Sequence, residues 1–243
     1  MINLPFLSAR SRSKPRDPVR PDAPFFAIGD VHGCHTLLSQ TLDRLLCRNM
    51  PIVLVGDYVD RGDDSASTLA MLYELSQTGQ VSCLKGNHED MMLKFIAAPD
   101  SKARRWLRHG GLQTMASFGI RKISETAEPT ALVQTRDALV QALGPQLNWL
   151  NSLPCQWQSG NVSVVHAGAD PTRPMEQQNE KDLMWGHKDF HRKSRNDDQW
   201  VIYGHTIVPS LDIRDGRIGI DTGAYATGNL TAIVVNADGV EIA

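Results

Sequence analysis

The chain has 243 residues, 41% hydrophobic and 21% charged, a balance that excludes a disordered or fibrous chain and leaves enough apolar material for one sizeable core. A formal net charge of −2 offers no global field for nucleic acid, and no stretch approaches the apolar length that spans a bilayer. Cys34, Cys47, Cys83 and Cys155 form no CxxC pair, and with no secretory apolar region at the start they read as reduced thiols of a soluble, cytoplasmic protein.

Residues 1–24 set Arg10, Arg12, Lys14, Arg16 and Arg20 against Asp17 and Asp22, with prolines interrupting any periodicity, so a flexible basic tail is expected there and a folded domain over 25–243. Phe25–Ile28 reads as a buried strand, and Leu38, Leu42, Leu45 and Leu46 recur at helical spacing to give a helix over about Cys34 to Arg48. The run Ile52–Val55 is the next strand. A second helix carries Leu69, Leu72 and Leu75 and stops at Gly79, and Val81–Leu84 completes a right-handed βαβαβ unit.

Residues 89–153 are mainly helical and more polar, with helices expected at Glu89–Ala97, Ser101–Arg108, Pro129–Leu143 and Gln146–Asn151. This is too long for a plain crossover and predicts a helical cap over the rim of the sheet. The last third turns β-rich, at Val162–Val165, Val201–Tyr203, Leu211–Arg214, Arg217–Ile220 and Leu230–Val235, with Asp215-Gly216 as a hairpin turn.

The strands share one feature: apolar runs end in Gly29-Asp30-Val31-His32, Gly56-Asp57-Tyr58-Val59-Asp60-Arg61, Gly86-Asn87-His88-Glu89, His166-Ala167-Gly168 and Gly204-His205. Carboxylates at the ends of buried strands are costly unless a cation or partner compensates them, and loops there are where α/β proteins keep their chemistry. A single histidine or Asp-Gly pair usually has a structural role. Four of the eight histidines, His32, His88, His166 and His205, stand at or just past the ends of apolar runs, which makes coincidence a poor account. Asp30, His32, Asp57, Asn87, His166 and His205 together form a mixed carboxylate, imidazole and amide set that suits first-row dications. Asp57, the central carboxylate, is the natural bridge between two ions about 3.5–4 Å apart, as in two-metal hydrolases.

The order GDVHG (29–33), GDYVDRG (56–62), GNHE (86–89), HAG (166–168) and GH (204–205) closely resembles metallophosphoesterases of the phosphoprotein phosphatase type, particularly the bacterial serine/threonine phosphatases. The resemblance runs from about Phe25 to the C-terminus. It implies an α/β fold with α+β elements, a calcineurin-like sandwich of two mixed β-sheets flanked by helices and carrying the cap. It implies two divalent ions, manganese first with iron or zinc as alternatives, the first held by Asp30, His32 and Asp57 and the second by Asp57, Asn87, His166 and His205. His88 would be the general acid oriented by Asp60, and Arg61 with Asn87 would hold the substrate phosphate. The implied activity is phosphomonoester hydrolysis, on phosphoserine or phosphothreonine of proteins. Two alternatives stand beside it: a symmetrical diadenosine-tetraphosphate hydrolase, whose branch typically departs from VDRG, and a phospho-ligand-binding module without turnover.

Trp106, His109-Gly110-Gly111 and Thr114 resemble the bacterial cap segment, and Asp221-Thr222-Gly223-Ala224 the C-terminal strands, both read as packing and turn geometry. One departure stands out. Many bacterial members carry Trp-x-Arg after an Asp-Leu pair; here Asp182-Leu183-Met184 is followed by Trp185-Gly186-His187. His187 is a partial substitute for that phosphate-binding arginine, or else Lys188, Arg173 or Arg105 reaches the phosphate instead.

Overall fold

The computed structural model describes residues 17–121 and 123–243. The expected basic tail falls largely on residues 1–16, which lie outside the described residues. Its last part, 17–24, is seated on the domain: Val19 is buried between the two sheets, the Arg20 backbone N–H donates to Asn161 Oδ1 at 2.6 Å, and Asp22 N–H donates to Ser159 Oγ at 2.9 Å.

Phe25–Ile28 (β1), Ile52–Leu54 (β2) and Val81–Cys83 (β3) pair in parallel, with His35–Leu46 (α1) and Ser65–Ser76 (α2) as their crossovers. Ala232–Asn236 (β9) and Gly239–Ile242 (β10) extend this sheet antiparallel on the other side of β1, in the order β10-β9-β1-β2-β3. The second sheet is formed by Gln156–Ser159 (β4), Val162–Val165 (β5), Trp200–Tyr203 (β6), Asp212–Arg214 (β7) and Arg217–Gly219 (β8), in the order β4-β5-β6-β8-β7. The expected Asp215-Gly216 hairpin joins β7 to β8, both turn residues having the positive φ (50° and 76°) that such a two-residue turn requires.

Alternation along β1 explains how the layers stack. Phe25 and Ala27 meet Val53 and Val55, and across the interface Val162, Val164, Ile202 and Ile218, forming the core between the sheets. Phe26 and Ile28 point the other way, into the core under α1, α2 and the cap. A smaller core with Val165, Val201 and Tyr203 lies on the far side of the second sheet. Two mixed five-stranded sheets flanked by helices are the architecture implied by the sequence.

The cap comprises Asn87–Ala97 (α3), Pro99–Trp106 (α4), Leu112–Ser117 (α5), Pro129–Leu143 (α6) and Gln146–Ser152 (α7). Instead of stopping at His109, the chain passes from α4 to α5 through a wide turn, Leu107–Gly111, kinked where Gly110 has φ of 115°. A Cβ on Gly110 would sit 2.7 Å from Asp60 Cβ, so this glycine lets the cap close on the central loop.

Candidate active site

Five loops at strand ends converge in one place. The loops after β1, β2, β3, β5 and β6 bring together Asp30, His32, Asp57, Asp60, Asn87, His88, His166 and His205, of which His205 is the most accessible and the others are buried. The sharp reversals needed there appear in the backbone: among the described residues, five of the seven non-glycine residues with positive φ are His32, Asp57, Asp60, Arg61 and His205. Gly204 is required by proximity, since a Cβ there would overlap Asp30 Oδ1.

Asp57 stands at the centre. Its Oδ2 lies 3.5 Å from His32 Nε2 and 3.8 Å from His88 Nε2, and its Oδ1 lies 3.3 Å from His166 Nε2. His166 Nε2 and His205 Nδ1 both face Asn87 Oδ1, at 2.8 and 2.7 Å. Asp30 takes the backbone N–H of His205 at 3.0 Å.

The donor chemistry fits a cation. His32 Nδ1–H donates to the Val59 carbonyl at 2.8 Å and His166 Nδ1–H to that of Val55 at 3.2 Å, so each Nε2 presents a lone pair toward carboxylate or amide oxygen. Burial keeps both imidazoles neutral, lowering His32 to about 3 and His166 to about 4. Burial, then the nearby carboxylates of Asp221 and Asp57, push Asp30 well above the carboxylate range. Lone pairs and uncompensated negative charge converging in a dry site are stabilised by metal. Among the described residues two groups of side chains could hold an ion, His32–Asp57–His88 and Asp57–His166–His205, with Asp57 common to both.

His88 has a different surrounding. Its Nδ1–H donates to Asp60 Oδ2 at 2.6 Å. Burial opposes its charge, yet the carboxylates of Asp57 and Asp60 outweigh that and raise its pKa. Asp60 is held in turn by Trp106 Nε1–H at 3.0 Å and Thr114 Oγ–H at 2.6 Å. Both cap residues, read from sequence as packing, therefore also orient the carboxylate behind His88. Two further contributors had no role in the sequence reading. Glu89 accepts the backbone N–H groups of Asp57, Tyr58, Val59 and Gly86; Tyr225 hydrogen-bonds Arg61 through its hydroxyl; and the Tyr225 ring lies 4.8 Å beneath the Arg61 guanidinium. Glu89 stands inside GNHE, and its place in that motif was the available signal.

His187 lies outside the cluster. Its Nε2 is 4.0 Å from Asp170 Oδ2, and it lines a cleft of about 420 Å³ together with Lys188 and His205. Arg173 is engaged by Asp170 at 3.5 Å and Arg105 lies 4.3 Å over the Trp185 ring, while Lys188 lines the same cleft as His187.

Comparison with known proteins decides the family: the calcineurin-like phosphoesterase profile matches residues 23–217. The chain belongs to the calcineurin-like phosphoesterases. It is therefore a hydrolytic metallophosphatase, as its strand-end motifs implied. It is 33% identical to serine/threonine-protein phosphatase 1 of Salmonella typhimurium over 218 residues (85% of this chain, 89% of that protein). It is 26% identical to the asymmetrical bis(5'-nucleosyl)-tetraphosphatase of Oceanobacillus iheyensis (84% of this chain, 86% of that protein) and 28% identical to the symmetrical bis(5'-nucleosyl)-tetraphosphatase of Ralstonia nicotianae (86% of this chain, 88% of that protein).

 The crystal structure of the cold-active protein-tyrosine phosphatase of a psychrophilic Shewanella shares the fold, with a TM-score of 0.58 at 14% identity over 93% of this chain and 83% of that one.

Proposed function

We propose that this metallophosphatase hydrolyses phosphate monoesters, with phosphoserine and phosphothreonine of proteins as its substrates. The observation that carries the reading is His88 held by Asp60 beside Asp57, with Arg61 at the same rim: a proton donor and a phosphate-binding fork at one carboxylate-rich centre. The relative named serine/threonine-protein phosphatase 1 supports it.

In this reading Asp30, His32, Asp57, Asn87, His166 and His205 hold two divalent ions, manganese first. Bound ions supply Lewis acidity toward a phosphoryl oxygen and a water of lowered pKa. Arg61, its guanidinium steadied by Tyr225, takes two phosphoryl oxygens in its planar fork. With Nδ1–H committed to Asp60, His88 donates as the imidazolium that the carboxylates of Asp57 and Asp60 favour, passing its second proton from Nε2 to the leaving oxygen of serine or threonine and remaining as the neutral Nδ1–H ring. Asp60, fixed by Trp106 and Thr114, keeps the ring oriented for that transfer.

The second reading is a dinucleoside-tetraphosphate hydrolase, favoured by the relatives with that activity in their names. Purified protein loaded separately with manganese, iron or zinc is to be assayed on a phosphoserine peptide, an aryl phosphate and diadenosine tetraphosphate. Turnover of the peptide well above the dinucleotide is expected; the reverse order would replace the first reading by the second.

A further inference from the structure

Beside His205 lies a cleft of about 420 Å³ whose polar wall is His187, Lys188, His191 and Arg192. These side chains belong to one turn that is firmly anchored. Phe190, in its middle, is buried with its ring 5.0 Å from that of Tyr203, and Arg217 donates from Nη1 to the carbonyls of Phe190 and Lys193 at 3.0 and 3.1 Å. On the same turn Lys193 pairs with Asp189 at 3.0 Å, whereas Lys188 and Arg192 have no ion pair among the described residues. Of the carboxylates near His187, that of Asp170 also accepts from Thr172 and pairs with Arg173, and that of Asp189 pairs with Lys193.

The cleft and Arg61 flank the cluster. Arg61 and Tyr225 lie on the His32 side of Asp57, where a separate cleft of about 370 Å³ opens, while His205 and the Lys188 turn lie on the His166 side. A substrate held at the centre thus meets Arg61 on one flank and Lys188 with Arg192 on the other.

We propose that Lys188 and Arg192 form a subsite for a second phosphoryl group carried by the same substrate. The proposal rests on the phosphoester hydrolysis argued above and extends it to substrate selection. Two exposed cations carried on an anchored turn beside the cleft attract a dianion without contacting the reacting phosphoryl group. The second group has two chemical sources, a neighbouring phosphorylated residue of a peptide or the phosphate chain of a dinucleotide.

The test compares a singly phosphorylated peptide, the same peptide with a second phosphoserine, and diadenosine tetraphosphate, using the metal-loaded full chain and its Lys188→Gln/Arg192→Gln variant. The native chain is expected to prefer at least one multiply phosphorylated substrate over the singly phosphorylated peptide by about tenfold in kcat/KM, the preference residing in KM and weakening with salt. In the variant the ratio should fall to near one. Whichever arm shows the preference identifies the source of the second phosphate. A preference that survives in the variant, a native chain with none, or a uniform loss on all three substrates overturns the subsite. Absence of native turnover on every phosphoester, with folded and metal-loaded protein, would instead defeat the proposed function itself.

Discussion

His88 shows how one side chain acquires its chemistry from neighbours. Asp60 accepts from its Nδ1 at 2.6 Å, and Asp57 lies 3.8 Å from its Nε2. If His88 acts as the proton donor, His88→Asn lowers kcat on phosphoserine peptides by about 10²–10⁴-fold. The loss should be much smaller on aryl phosphates, whose leaving groups need no proton, and metal content measured by elemental analysis should stay unchanged. Equal losses on both substrates would make His88 a structural or ligating residue, an assignment that its place in the His32–Asp57–His88 group also allows.

At the scale of elements, the first turn of α3 reaches back to support the loop after β2. Glu89 uses Oε1 to accept from Tyr58 and Val59 and Oε2 to accept from Asp57 and Gly86, so both oxygens are committed. Glu89→Gln keeps the size but turns one oxygen into a donor facing N–H groups. Leaving buried donors unsatisfied costs about 1–3 kcal/mol each, so a loss of about 2 kcal/mol or more is expected. Urea denaturation measures it, and an unchanged midpoint would show that the loop does not depend on this carboxylate.

The same elements show what the sequence reveals and what it hides. The strands that end at Asp30, Asp57 and His166 were legible because short apolar runs there give way abruptly to Gly, Asp and His. By contrast, β4 reads Gln-Trp-Gln-Ser and β10 Gly-Val-Glu-Ile; both are edge strands, half exposed and without a clear apolar alternation. The six-residue helix Glu180–Trp185 is too short for a periodic signal. Ligand-type residues announce themselves by local motif, but the pairing of Trp106 and Thr114 with Asp60 spans 46 and 54 residues and follows only from the cap's docking.

The molecule as a whole is two sheets meeting at one polar cluster. Asp30, His32 and Asp57 come from loops of the first sheet, His166 and His205 from loops of the second, and Asn87 from the start of α3. Without cations, the buried carboxylates and neutral imidazoles oppose closure of that end of the sandwich, so ions held there would join the sheets as well as serve the reaction. A ligand that binds only the folded state at 100 times its Kd contributes about 2.7 kcal/mol, which for a domain of this size corresponds to a Tm shift of about 5–10 °C. Chelation should therefore lower Tm by about that amount, and added manganese should restore it. Asp57→Asn, which removes the charge common to both candidate groups, should abolish the difference between chelated and manganese-treated protein. Differential scanning calorimetry under both conditions is the measurement. Equal Tm values for the chelated and manganese-treated native chain would mean that the cluster does not fasten the two sheets together.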